Sequence, residues 1–346
     1  MTLPGMMRGI FYIGPEKLEL RQVPIPAPQA GELLVKVVTA TTCGTDLKTY
    51  RRGHPKFPPP FLFGHEFAGD VAAVGEDVDN FKPGMRVTAN VFAPCGLCFY
   101  CLKGQDNLCE ALHYNFGAFA EYMIIPASIV RSNTFILPDD LSYAHAALLE
   151  PLVSVVHGQR RIAIQPGEKV AIIGAGGAIS LLHLQMAQLA GAAKIMGIGH
   201  SDLRLETFAQ LGASEVINAR HEPALERVLE LTFGRGADVV IECAGTKEAW
   251  ESAVHMVRKG GRVLWFGGLP AGTTVQLDAA MIHYGEITLI GVHGGTLQDA
   301  QEAYRLLVSG EVDPGPLISG EYPLEEIEDA FQQMIAGTAI KLVIRP

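Results

Sequence analysis

Along the chain, apolar residues first alternate with polar ones and then give way to a regular succession of apolar runs and amphipathic stretches. Residues 8–13, 18–23 and 33–40 carry the alternating or β-branched patterns of strands. Pro24, Pro26 and Pro28 mark an exposed connector between the second and third. The third strand delivers Cys43 at its end, and Gly44 permits a tight turn into a short helix over 45–50. Residues 69–74, 85–91 and 119–126 read as further strands, which makes this part irregular and mostly β. Residues 141–159 predict a helix with Glu150-Pro151 inside it. From Lys169 onward, strands at 170–174, 194–198, 215–218, 239–243, 262–266 and 287–292 alternate with helices at 179–190, 202–211, 224–232 and 247–257. Gly191 and Gly212 stand where helix C-caps belong. Six apolar strands joined by crossover helices spell an α/β fold with a doubly wound parallel sheet. Two helices, 297–307 and 324–336, and a strand at 341–344 complete the chain and are expected to return to the first domain. The expected domains are therefore 1–152, 153–292 and 293–346, with a cysteine lobe at about 93–110.

Length agrees with that division, since 346 residues exceed one simple core. A formal charge of −10 repels phosphate backbones and anionic membranes, so neither nucleic acid nor membrane is an expected partner. The opening MTLPGMMRGIFYIG lacks a basic start followed by an apolar core. The most apolar run, 170–182, falls short of the ~18–20 residues that span a bilayer. The chain is expected in the cytoplasm.

Six cysteines change the picture. Four are packed as Cys95-x2-Cys98-x2-Cys101-x7-Cys109, while Cys43 and Cys243 stand alone. A reducing compartment argues against disulfides, and so does the tight spacing. Four thiolates in one loop make an all-sulfur tetrahedral site, structural zinc by preference and an iron–sulfur cluster as the lesser reading. Cys243 reads as a small buried hydrophobe.

A second constellation centres on residues 61–69, FLFGHEFAG, where His65 and Glu66 stand between two glycines. Imidazole and carboxylate are both first-row metal ligands. The bare dipeptide is weak, but Cys43 lies upstream in Thr41-Thr42-Cys43-Gly44-Thr45-Asp46, and Glu150 sits where the pattern changes. Immediately after the strand at 170–174 comes Gly174-Ala175-Gly176-Gly177-Ala178-Ile179-Ser180 and an apolar helix. Gly174 and Gly176 suit the bend and the close approach of a dinucleotide's pyrophosphate to backbone N–H groups. Ile179 stands where the fingerprint has its third glycine. The end of the next strand normally carries the carboxylate that binds the adenosine ribose, and here it reads Ile198-Gly199-His200-Ser201-Asp202-Leu203-Arg204. With Gly199 in the acidic position, His200, Ser201 and Arg204 are placed for a 2′-phosphate, favouring NADP(H) over NAD(H). A shift of a few residues would instead set Asp202 on the diol.

Together these pieces resemble the zinc-dependent medium-chain dehydrogenase/reductase superfamily over nearly the whole chain. Glu150 at the position of a second cysteine in liver-type alcohol dehydrogenases makes the chain most similar to the sorbitol and threonine dehydrogenase branch. The resemblance implies a GroES-like catalytic domain beside a Rossmann domain, with catalytic zinc on Cys43, His65 and either Glu66 or Glu150. It implies Thr45 as the start of a proton relay, with cofactor contacts at Gly177, Ala178, Ile179, Phe266, Gly267 and Val292. It also implies a homodimer or homotetramer. Lys48 departs from the pattern by replacing the relay histidine, and its readings are a relay to solvent, a clamp for an anionic substrate, or a surface lysine. The activity expected is hydride transfer between a secondary alcohol or polyol and a nicotinamide. A threonine dehydrogenase is the alternative enzyme, and a non-catalytic nucleotide-binding or redox-sensing relative is the alternative of another class.

Overall fold

The computed structural model describes residues 3–54 and 57–346, and the chain forms two compact units. One comprises Met1–Val153 with Thr296–Pro346, the other Ser154–Gly295.

In the first unit the strand Leu33–Thr41 is central because its residues are almost all apolar or small and are buried on both faces. It lies in a seven-stranded sheet ordered Thr134–Ile136, Arg86–Ala89, Glu66–Val74, Leu33–Thr41, Lys341–Arg345 and Ile318–Pro323, and Tyr122–Ile125 also pairs with it. Antiparallel pairing sets Thr41 opposite Glu66 on one side and Val343 on the other. Three segments distant in sequence thus end beside Cys43. Leu33, Val35, Phe63, Phe67, Phe119, Ile125 and Phe331 form part of the core beneath them. Each such side chain contributes about 1.5–3 kcal/mol when buried, and a one-residue slip would turn the strand's apolar set outward. The short strands Phe92–Ala93 and His113–Tyr114 pair antiparallel and close the base of the cysteine loop.

The second unit holds six parallel strands ordered Glu215–Asn218, Lys194–Gly199, Lys169–Ile173, Ala237–Glu242, Val257–Trp265 and Thr288–Gly291. The order reverses between Lys169–Ile173 and Ala237–Glu242, which opens a crevice at their carboxyl ends. Helices Ala178–Leu189, Asp202–Gln210, Ala224–Leu231 and Lys247–Met256 make the crossovers.

Several elements differ from the sequence reading. The helix expected at 141–159 is two helices, Tyr143–Ala146 and Leu149–Ile162. Pro151 has no N–H to donate, so it is accommodated in the first turn of a helix that restarts at Leu149. The helix at 324–336 opens as a 3-10 turn, Leu324–Glu326, before Ile327–Ala336. Helices Ala127–Ser132 and Ala279–Gly285 and the strand Ile318–Pro323 have periods too short to stand out from loops. Among the described residues no helix is long and apolar enough to cross a membrane.

Candidate functional site

The helix Gly44–Arg52 begins on Cys43, whose sulfur accepts the Thr45 N–H at 3.4 Å while Asp46 Oδ2 accepts the Cys43 N–H at 3.1 Å. This reciprocal cap fixes Cys43 at the strand end. Gly64 turns the chain into His65 with φ +84°, and a Cβ there would lie 2.6 Å from the Phe119 ring. Only glycine fits. The Cys43 sulfur, a His65 ring nitrogen and a Glu66 carboxylate oxygen then lie within 4.8 Å of one another. His65 Nδ1 bonds Asp46 Oδ1 at 2.8 Å, and Asp46 is itself buried. That contact orients the ring and leaves Nε2 for a ligand, the arrangement in which a carboxylate supports a metal-binding imidazole.

Glu66 is completely buried. Its Oε2 accepts from Lys341 Nζ and the Thr41 hydroxyl, while its Oε1 has no hydrogen-bond partner. A buried carboxylate oxygen without a donor is costly unless a cation answers it. One soft thiolate, one imidazole and one carboxylate oxygen at this separation suit a tetrahedral zinc with an open position. Burial alone would lower the proton affinity of His65, but Asp46 and Cys43 outweigh it and hold the ring protonated well above its ordinary range. Burial chiefly, with the Glu66 charge, pushes the Cys43 thiol up, against His65 and Lys341.

Glu150 lies in the first turn of Leu149–Ile162, outside the set of atoms within 4.8 Å. Removal from water foremost raises its carboxyl to about 7, with Glu66 adding to the rise while His65 and Lys341 oppose it. Thr45 and Lys48 are exposed on the helix that starts at Cys43. Phe116 stands against His65, with ring centroids 5.9 Å apart, and Phe57 packs on Phe116 and Tyr114 to form an aromatic wall.

The four lobe cysteines also lie within 4.8 Å of one another. Cys95 to Cys101 is 3.9 Å and Cys98 to Cys101 is 3.5 Å between sulfurs. A tetrahedron of sulfurs about 2.3 Å from zinc has edges of about 3.8 Å, whereas a disulfide would need about 2.05 Å. The thiols are free, and backbone N–H groups point at them: Cys95 to Cys109 at 3.2 Å, Cys98 to Cys95 at 3.4 Å, Ala111 to Cys109 at 3.3 Å. Backbone donors lower the Cys98 thiol to about 6, while burial and its sulfur neighbours push Cys101 up to about 12.

In the second unit, Gly174 and Gly176 have φ of +85° and +88°. A Cβ on Gly174 would lie 2.8 Å from the Ala244 nitrogen, and one on Gly176 would strike Arg204 at 2.4 Å. Helix Ala178–Leu189 starts from Gly177, leaving its first amides free of a side-chain cap, a ready position for an anion. Ile179 is half-exposed while Ser180 and Leu181 pack inward. Gly199 is buried at the end of its strand, His200 is exposed, and Ser201 and Arg204 are half-buried. Asp202 is bound to Asn218 Nδ2 at 2.6 Å and is exposed. Phe266, Gly267 and Val292 line one cavity of about 380 Å³ with His293, Trp250 and Trp265.

Sequence reading assigned no role to Asp46, Lys341 or Thr41. Asp46 could have been found from its place three residues into a helix capped by Cys43. Lys341 showed only as a lone charge in an apolar strand.

The model of the alcohol dehydrogenase GroES-like domain matches residues 29–134, and that of the zinc-binding dehydrogenases matches 178–309. A sorbitol dehydrogenase of Bacillus subtilis is 34% identical over 100% of this chain and 99% of its own. An L-threonine 3-dehydrogenase of Bacillus velezensis is 35% identical over 94% of this chain and 95% of its own. A zinc-binding dehydrogenase of Sinorhizobium meliloti, solved bound to NADP, superposes with a TM-score of 0.91 at 32% identity, covering 99% of this chain and 100% of that one.

Proposed function

The chain belongs to the zinc-dependent medium-chain dehydrogenases of the alcohol dehydrogenase superfamily, and from that premise we propose that it interconverts a secondary alcohol or polyol with its ketone, using NADP(H) in preference to NAD(H). The observation that carries this reading is the convergence of Cys43, His65 and Glu66, with one Glu66 oxygen buried and unanswered. These three would hold catalytic zinc, Glu150 being the alternate carboxylate, and the four lobe cysteines would hold a structural one. Zinc supplies Lewis acidity that lowers the pKa of an alcohol hydroxyl, and the nicotinamide supplies the hydride acceptor. This chain's residues do the rest. Asp46 holds the His65 tautomer, Lys341 and Thr41 hold one oxygen of Glu66, and the Thr45 hydroxyl takes the substrate's proton outward. Gly174, Gly176, Gly177, Ala178 and Ile179 would receive the pyrophosphate, and Phe266, Gly267 and Val292 the nicotinamide end.

The preference for NADP(H) rests on Gly199 in place of a ribose-binding carboxylate, with His200, Ser201 and Arg204 beside it, and is favoured by the NADP-bound neighbour. Oxidation of L-threonine is the second reading, favoured by the threonine dehydrogenase relatives. We place the enzyme in the cytoplasm, where six free thiols are kept reduced, and as a homo-oligomer joined through the edge strand Thr288–Gly291. One assay tests the activity: absorbance at 340 nm with NADP+ or NAD+ and a panel of sorbitol, other polyols, secondary alcohols and L-threonine. Turnover of polyols or secondary alcohols supports the proposal. Turnover of L-threonine alone would replace it by the second reading.

A further inference from the structure

Resting on that reading of the site, we infer that the substrate is a polyol ending in an anionic oxygen group, a phosphate monoester or a carboxylate, held by Lys48 and Arg52. The helix Gly44–Arg52 buries Asp46, Thr49 and Tyr50, so its opposite side is free. Thr45, Lys48 and Arg52, spaced i, i+3 and i+7, follow one another along that exposed side. The stripe begins two residues after Cys43. Lys48 is about 4.5 Å along the helix axis from Thr45, and Arg52 about 10.5 Å. A carbon chain advancing less than about 1.5 Å per bond reaches the first with a few carbons, and the second with several.

Three features bear on these cations. The chain carries 37 acidic residues against 27 basic ones, so an anionic substrate is repelled by the protein as a whole and needs a local counter-field. Several other arginines are neutralised, as with Arg8 on Glu121, Arg21 on Glu19, Arg258 on Asp238, Arg262 on Glu168 and Arg345 on Glu321. Among the described residues, Lys48, Arg51 and Arg52 hold no carboxylate. Arg51 and Arg52 also favour the helix's C-terminal end, but Lys48, in the middle, gains nothing from that. Finally, the wall of Phe57, Phe116 and Tyr114 beside His65 is apolar. It offers the faces on which the C–H edges of a polyol lie but no charge to hold its end.

The test compares kcat/KM of the zinc-loaded protein for sorbitol, sorbitol 6-phosphate and gluconate with NADP+. The expected result is at least a tenfold preference for one anionic compound over sorbitol, and which one wins separates phosphate from carboxylate. Lys48→Met and Arg52→Met should each lower that preference severalfold, mainly through KM, and 0.5 M NaCl should shrink it in the native protein. Unchanged thermal midpoints in the variants show that they are folded. Turnover of sorbitol with no preference for either anion, or a preference that neither variant moves, overturns the inference and leaves the polyol dehydrogenase reading intact. Turnover of L-threonine or simple secondary alcohols only overturns the inference and the polyol reading together.

Discussion

Replacing Lys341 by methionine removes a cation from beneath the metal position while keeping an unbranched chain of similar length. The Lys341 and Glu66 side chains are 3% and 0% exposed. Lys341 Nζ donates to Glu66 and, at 2.7 Å, to the Thr42 carbonyl. In metal-free protein the substitution leaves a buried carboxylate with the Thr41 hydroxyl as its one remaining donor among the described residues. Breaking such a pair from one side costs about 3–5 kcal/mol, most of it the penalty of the orphaned charge. For a unit of this size each kcal/mol lowers the midpoint by about 2–4 °C, so the expected loss is roughly 6–20 °C. Calorimetry and urea unfolding of EDTA-treated protein would measure it. Lys341→Met combined with Glu66→Met should recover most of the loss, because no charge is then stranded. A loss below about 1 kcal/mol for Lys341→Met alone, or a double variant no more stable than the single, would refute the argument.

Further expectations follow from other sites. His183 is buried with Nδ1 accepting from Gln159 Nε2 at 2.9 Å, and burial lowers it to about 3. Its folded value lies below its unfolded one of about 6.5. Stability from the neutral ring is therefore complete above about pH 6.5 and declines as pH falls toward 3, by up to about 1.4 kcal/mol per pH unit. His183→Leu should flatten urea midpoints between pH 7 and pH 5, and equal slopes would rule this out. Both of the chain's tryptophans line the cavity with Phe266 and Val292, so quenching of their emission should report cofactor binding. NADPH is expected to bind at least tenfold tighter than NADH, a difference of about 1.4 kcal/mol. Arg204→Ala should erase most of that, and an unchanged ratio would reassign the 2′-phosphate contact. Native mass spectrometry should find two zincs per chain, and Cys98→Ser should leave one. Retention of both by the variant would count against a four-sulfur site.

The α/β architecture was legible because its period is regular: apolar strands of about five residues, each followed by an amphipathic helix, leave few alternatives. The strand read at 194–198 runs one residue further, through Gly199, because the glycine still pairs with Asn218 of the neighbouring strand. Legibility failed where tertiary contacts outweigh local pattern. Ile318–Pro323 alternates half-buried and exposed residues and holds its place through pairing with Lys341–Arg345. The split of 141–159 turns on one missing donor, that of Pro151, which periodicity does not register.

The candidate site shows the same division, with a sharper consequence. Cys43, His65 and Glu66 could be marked because thiol, imidazole and carboxylate announce their chemistry by type. Lys341 could not, because a lysine in an apolar strand becomes intelligible only when the sheet is assembled. Antiparallel register places Thr41 opposite both Glu66 and Val343, so a donor from residue 341 reaches a carboxylate from residue 66 across Leu33–Thr41. The sheet that buries the core therefore also leaves one Glu66 oxygen engaged and the other open. Through that coupling, weakening the sheet at a residue that is not itself a ligand should alter the metal site. Val343→Ala, a core truncation costing about 1–3 kcal/mol, should speed zinc loss to a chelator. Ala339→Gly, outside the strand, should not. Equal loss rates would mean that the carboxylate is positioned locally and the register is incidental.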